Sequence, residues 1–339
     1  MSGFGVDLAS RSLGGSVLAA SDESFGFKER LVVAAEPAFV PGTYDQRGEV
    51  VDGWETRRHA GAQGDWAIVR LGAPGRLRTI DVDTTSFTGN HPTGCRIDAC
   101  VLGVLDDPTD PGVQWSTVVE STALKPDSHN LLDVDDHRRY THVRLALASD
   151  GGVARLRVYG DVVPDPDSWA DVTVEVSGVE QGGRVEWSSD DFYSNASALI
   201  GPDRPRNMGD GWETRRRRDV DADSHDAVTI SFACAAELRR IEIDTSYFVF
   251  NASLEVSVLG STTTPDGEHG WATVAFEVPV LPRTRIAADA RQVFTVAATD
   301  ITAVRLHAHP DGGIARVRAF GTPTADGLQT LRSRWESSI

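Results

Sequence analysis

The chain has 339 residues, with 33 Lys and Arg against 50 Asp and Glu, giving a net charge of −17 at pH 7. That balance excludes general affinity for nucleic acid or anionic membrane, and any anion site must carry its own arginines. At 40% hydrophobic and 24% charged residues the composition is that of a soluble globular protein, long enough for two domains.

The opening MSGFGVDLASRSLGG lacks a basic region followed by an apolar core, so no signal peptide is expected. No apolar run approaches the length of a membrane span. Cys95, Cys100 and Cys234 are too few and too odd in number for a disulfide framework. They read as buried thiols in a reducing, cytoplasmic compartment. Lys28 and Lys125 are the only lysines, so nearly all positive charge is arginine, the side chain suited to gripping a carboxylate through two parallel hydrogen bonds.

Read from the start, the chain repeats itself. SDESF at Ser21 is echoed by SDDFY at Ser189, and DGWETRR at Asp52–Arg58 returns at Asp210–Arg216. IDVDT ends at Thr84 and IEIDT at Thr245, while DGGVARLRVYG from Asp150 returns as DGGIARVRAFG from Asp311. A seven-residue identity containing tryptophan, flanked by further echoes in the same order, marks a tandem duplication. The first copy is expected over 1–161 and the second over 171–321. The Pro- and Asp-rich segment 162–170 reads as a linker, and 322–339 as a tail able to form a short helix with Leu328, Leu331 and Trp335 on one face.

Each copy reads as β. Apolar residues alternate in Ile80/Val82, Ile97/Ala99/Val101 and Val143/Leu145/Leu147. They do so again in Val228/Ile230/Phe232, Ile241/Ile243, Leu254/Val256/Val258 and Val304/Leu306. Short period-two runs separated by Gly, Pro, Asp and Asn predict an all-β chain of two tandem jelly-roll sandwiches.

Three constellations could carry chemistry. DGWETRR packs two carboxylates, an aromatic and two arginines into seven positions. Its plainer reading is a turn with Trp as a plug; its functional reading is a binding loop at a sandwich end. Arg57 or Arg58 could clamp a carboxylate, and Asp52 or Glu55 could accept N–H groups or act as general acid or base. Trp54, and in the second copy Trp212, Glu213, Arg215 and Arg216, take the matching places. Asp83 with Asn90, matched by Asp244 with Asn251, forms the second constellation. Asp–Gly–Gly followed by Arg155 or Arg316 forms the third; its plainer reading is a tight hairpin. Histidines differ between copies: His59 is matched by Arg217, and His225 by Gly64. His225 is a further acid–base candidate. No metal-ligand or phosphate-loop motif is present, so no cofactor or metal is predicted, although carboxylates and histidines could assemble a divalent-cation site in space.

Taken together these motifs resemble the allantoicase family over nearly the whole chain, from about Val6 to Gly321. The resemblance implies a galactose-binding-like jelly roll occurring twice, a homo-oligomer, and hydrolysis of the small molecule allantoate to ureidoglycolate and urea in purine degradation. For such a substrate the motif inventory leads us to expect Arg57 or Arg215 to hold the carboxylate, and Asp52, Glu55 or Asp83, with their second-copy partners, to handle N–H groups and proton transfer. The copies depart from the family's pattern differently. Gly64-Asp65-Trp66 and His225-Asp226-Ala227 stand for His-Asp-Trp, and Phe87-Thr88-Gly89-Asn90-His91-Pro92 is kept where the second copy has Phe248-Val249-Phe250-Asn251-Ala252-Ser253. The competing readings are a non-catalytic sandwich that binds a small ligand or a sugar by stacking on Trp54 and Trp212, and a degraded paralogue.

Overall fold

A computed structural model describes residues 5–46, 48–58, 64–218, 221, 223–265 and 270–339. The chain divides into two units, Met1–Val163 with Ser337–Ile339, and Pro164–Glu336. Each is built around one long strand.

In the first unit that strand is Trp66–Asp83. Its first part pairs antiparallel with Arg139–Leu147 and its last part with Arg155–Val162. Its pairing with Arg139–Leu147 shifts register between Arg70 and Gly75, across Gly72 and Pro74, so the two parts of the strand take different sets of partners. Ser16–Ala20 and His129–Asp133 also pair with it, and Gly94–Cys100 and Ser116–Ala123 extend the sheet beyond Arg139–Leu147. Alternation then points Val69, Ile80, Val82, Ile97, Leu145, Leu156 and Val158 into the core.

The second unit repeats the plan around Asp226–Asp244, which pairs with Arg291–His309 and Arg316–Pro323. Arg291–His309 does in one strand what His129–Asp133 and Arg139–Leu147 do in two. The structure is therefore all-β twice over, with one α-helix among the described residues, Ala325–Glu336. That helix buries Leu331 and partly covers Leu328 and Trp335.

The boundary between the units, after Val163, falls inside segment 162–170, where Val163 is buried and Trp169 joins the core of the second unit. Val101 and Leu254 fall just outside their strands and are exposed, because the pattern runs one residue past the last ladder pair.

Asp150-Gly151-Gly152 is not a tight hairpin. The strands on either side of it pair with different parts of Trp66–Asp83, so the turn is a crossover between layers. The glycines are needed for close approach. Gly151 has φ +148°, and a Cβ there would meet Pro92 N at 2.6 Å. At Gly152 a Cβ would meet the Phe87 ring at 1.8 Å, and Phe87 is fully buried. Gly152→Ala is expected to destabilise the first unit by about 1–3 kcal/mol through overpacking. A urea-denaturation midpoint unchanged from wild type would show that the ring can yield.

Candidate active site

The first DGWETRR motif folds as a two-residue strand, Trp54–Glu55, paired with Gly152–Val153. Adjacent strand residues point to opposite sides. Trp54 goes inward and is fully buried, its indole Nε1 donating to Asp22 O at 2.8 Å. Glu55 goes outward into a pocket of about 960 Å³ lined also by Arg57, Arg58, Asn90, His91 and Asp150.

Inside this pocket Asn90 Nδ2 donates to Glu55 Oε1 at 2.6 Å. Burial raises the Glu55 carboxyl above its ordinary value of 4.5, and the Asn90 bond and the Arg58 charge pull only partly against it. Glu55 is thus placed to hold a proton that an exposed glutamate would lose. Asp22 holds Arg57 through its backbone N–H at 2.9 Å and its Nε at 2.8 Å, a contact that does not use the terminal Nη groups. Burial raises the Asp22 carboxyl, but hydrogen bonds from Ser24 and Arg57 outweigh that and bring it down to about 2, so it stays an anion. Arg58 is exposed, and His91 brings a buried Nδ1 that has no hydrogen-bond partner among the described residues.

The second repeat builds the same frame. Trp212 is fully buried and its Nε1 donates to Asp190 O at 2.8 Å, while Asn251 Nδ2 donates to Glu213 Oε1 at 2.6 Å. The surroundings differ. Arg215 lies 3.8 Å from Asp190 Oδ2 and its guanidinium stacks over Phe192 at 4.3 Å. Arg216 is exposed, Asn251 also contacts Met208 Sδ, and Ala252 replaces His91. His225 does not join the Glu213 pair: among the described residues its ring neighbours are His307 and His309, at 4.5 and 5.4 Å. His59 lies outside the described residues.

Several sequence candidates are placed elsewhere. Trp54 and Trp212 have no exposed surface, so neither ring can stack on a ligand, and the sugar-stacking reading loses its residues. Arg155 is 1% exposed and spends its guanidinium on the Asp52 carboxylate at 2.8 Å and on the carbonyls of Ala35, Asp52 and Ala154. Asp52 is thereby engaged in a structural ion pair. Arg316 is likewise buried, paired with Asp203 at 2.8 Å. Asp83 and Asp244 are buried; each caps the following turn, accepting from Thr85 N and Ser246 N at 2.8 Å. The sequence reading missed Asp22 and Asp190 as anchors, although their recurrence in SDESF and SDDFY was visible. His91 was visible only as the neighbour of Asn90.

The sequence family described as Allantoicase repeat matches residues 6–163 and 174–324. A probable allantoicase of Streptomyces avermitilis is 41% identical, covering 98% of this chain and 89% of its own. One from Nocardia farcinica is 43% identical, with 93% of each covered. The crystal structure of allantoicase from Saccharomyces cerevisiae superimposes with a TM-score of 0.73 at 28% identity, covering 93% of this chain and 92% of that one. With both repeats matched and relatives of this identity aligned nearly end to end, the chain belongs to the allantoicase family.

Proposed function

We infer that this chain hydrolyses allantoate to ureidoglycolate and urea in purine degradation, and that the pocket of the first repeat carries the reaction. The supporting observation is the convergence of Glu55, Asn90, Arg57 and Arg58 on one pocket in a chain of this family. Three free, buried cysteines, their thiols pushed up to about 12 by burial, support residence in the reducing cytoplasm.

Allantoate carries one carboxylate and two ureido groups on a single carbon. Arg57 and Arg58 supply cations for the carboxylate, and a guanidinium can meet it with two parallel bonds. Asn90 orients Glu55 and offers an amide to a ureido group. The carbon–nitrogen bond breaks only when the departing urea nitrogen receives a proton, because an anionic nitrogen is a poor leaving group. Glu55, whose carboxyl burial shifts towards the protonated form, donates it. Water then delivers hydroxyl to the carbon, and its remaining proton returns to the Glu55 carboxylate. One water is consumed, one C–N bond is exchanged for a C–O bond, and the acid is regenerated.

Glu55→Gln keeps the shape and removes the proton. Urea release should fall by about a hundred- to ten-thousand-fold in kcat, while Glu213→Gln stays near wild type. The reverse ranking would move the chemistry to the second repeat, and full activity in both variants would remove these glutamates from it.

The pH profile gives a separate check. An acid with a raised pKa works while protonated, so kcat should decline as pH rises through a value above 4.5. The same shift favours the fold below the unfolded-state value, and that contribution is lost as pH rises through the folded one. Glu55→Gln should therefore be at least as stable as wild type at neutral pH, though slow. A variant that melts well below wild type at pH 7 would assign Glu55 a structural role.

A further inference from the structure

The end of strand Trp66–Asp83 places Asp81 and Asp83 two residues apart, on one face of the sheet. His129 lies across from Asp83 on one neighbouring strand, and Arg155 and Arg157 lie across from Asp83 and Asp81 on the other. The segment carrying Val33, Ala34 and Ala35 covers this face, and Glu36 follows it. The ligand atoms of Glu36, Asp83 and His129 all lie within 4.8 Å of one another. Donors held about 2.0–2.6 Å from a single ion can lie up to about 4–5 Å apart.

The hydrogen bonds leave this cluster short of positive charge. Arg155 is occupied by Asp52 and by carbonyls; Arg157 bonds Asp7 at 3.5 Å and the carbonyls of Val33, Ala34 and Ala35, and reaches Glu36 Oε1 only at 4.0 Å. Asp81 Oδ2 accepts from His129 Nδ1 at 2.7 Å, leaving a buried Oδ1 with no hydrogen-bond partner among the described residues. Asp83 Oδ1 accepts from Thr85 N, leaving a buried Oδ2 that also has none among the described residues. These side chains belong to residues only 3% and 1% exposed. An orphaned carboxylate oxygen at such depth is costly, and an ion is one of the few things that explain it.

The second repeat shows the same frame with its charge supplied internally. Glu242 and Asp244 stand where Asp81 and Asp83 stand, on the strand facing Arg316 and Arg318. Arg291 lies across from Asp244, as His129 does from Asp83, with its Nε 3.5 Å from Glu242. Arg204 follows Asp203, whose carbonyl receives Arg316 Nε at 3.0 Å, as Glu36 follows Ala35, whose carbonyl receives Arg155 Nε at 3.0 Å. Among the described residues neither Glu242 nor Asp244 has a buried oxygen left unpartnered. Two guanidinium groups in one repeat thus take the places of a carboxylate and an imidazole in the other.

We propose that Glu36, Asp83 and His129 bind a divalent first-row transition cation, with Asp81 holding the imidazole through Nδ1. Two carboxylates with one imidazole are a mixed oxygen–nitrogen set that suits Mn²⁺ and its neighbours better than Ca²⁺ or Mg²⁺. A carboxylate behind a ligating histidine is the usual device for fixing its ring and tautomer. The site lies in the first repeat but does not depend on the reading of the Glu55 pocket.

The test uses the chelator-treated full chain titrated with Mn²⁺, followed by loss of the free-ion paramagnetic resonance signal. Wild type should remove one equivalent. Asp81→Asn should weaken binding by about 10–100-fold. Glu36→Gln, altering an exposed side chain, should also weaken it. His129→Arg recreates the second repeat's arrangement, so it should abolish binding while melting at or above metal-free wild type. Wild type that leaves the signal untouched, or His129→Arg that binds as wild type does, overturns the proposal. Urea release is measured separately, so an inactive enzyme that binds Mn²⁺, or an active one that does not, distinguishes failure of the function from failure of the site.

Discussion

The candidate site hangs on the inward burial of one tryptophan per repeat. Trp54 has no exposed surface and ties its only polar atom to the carbonyl of Asp22. Because strand neighbours face opposite ways, fixing Trp54 in the core forces Glu55 outward. Truncating such a residue costs about 3–5 kcal/mol, so this orientation is held by far more than any hydrogen bond in the pocket. Asp22 uses the same short stretch twice: its carbonyl holds Trp54, and its carboxylate holds Arg57. Core packing and ligand-facing charge are therefore coupled through one residue.

The fold was legible in the sequence because its signals are local and periodic. Alternation in Ile80/Val82 and Val143/Leu145/Leu147 located strands, and the echoed motifs located the duplication. Direction was harder to read. Nothing in DGWETRR says which of its side chains enters the core, so Trp54 was as good a ligand contact as Glu55 until Gly152–Val153 was seen to pair with it. Arg155 misled for a similar reason. An arginine in a strand looks solvent-facing, yet a covering segment of chain can bury it if every donor finds a carbonyl or carboxylate. The pairing of Glu55 with Asn90, 35 residues apart, follows only from the crossover at Asp150–Gly152.

A net charge of −17 is no obstacle to an anionic substrate at such a site. At physiological ionic strength charges more than about 8 Å apart are largely screened. What an arriving carboxylate meets is the local pair Arg57 and Arg58, with Asp22 already committed to Arg57. The arginine-rich cation content matters here in a specific way. Holding Arg57 by Nε orients the guanidinium plane, which a lysine ammonium, having no plane, could not exploit.

The two repeats also show which demands admit one answer and which admit several. Backbone and packing demands recur unchanged. A buried Trp bonds to an aspartate carbonyl in both copies, an aspartate caps the Asp-Thr turn in both, and a glycine gives way to a buried Phe in both. Charge demands are met differently. Arg155 pairs with Asp52 inside DGWETRR, whereas Arg316 pairs with Asp203 outside it, and Asp210 turns instead to Arg206. A close contact fixes residue type because only one shape fits. A buried charge fixes only the sign of its partner, which a side chain from another segment can supply, or a bound cation. The duplicated sandwich can therefore hold its geometry in both copies while the charges lining each copy, and with them the chemistry, diverge.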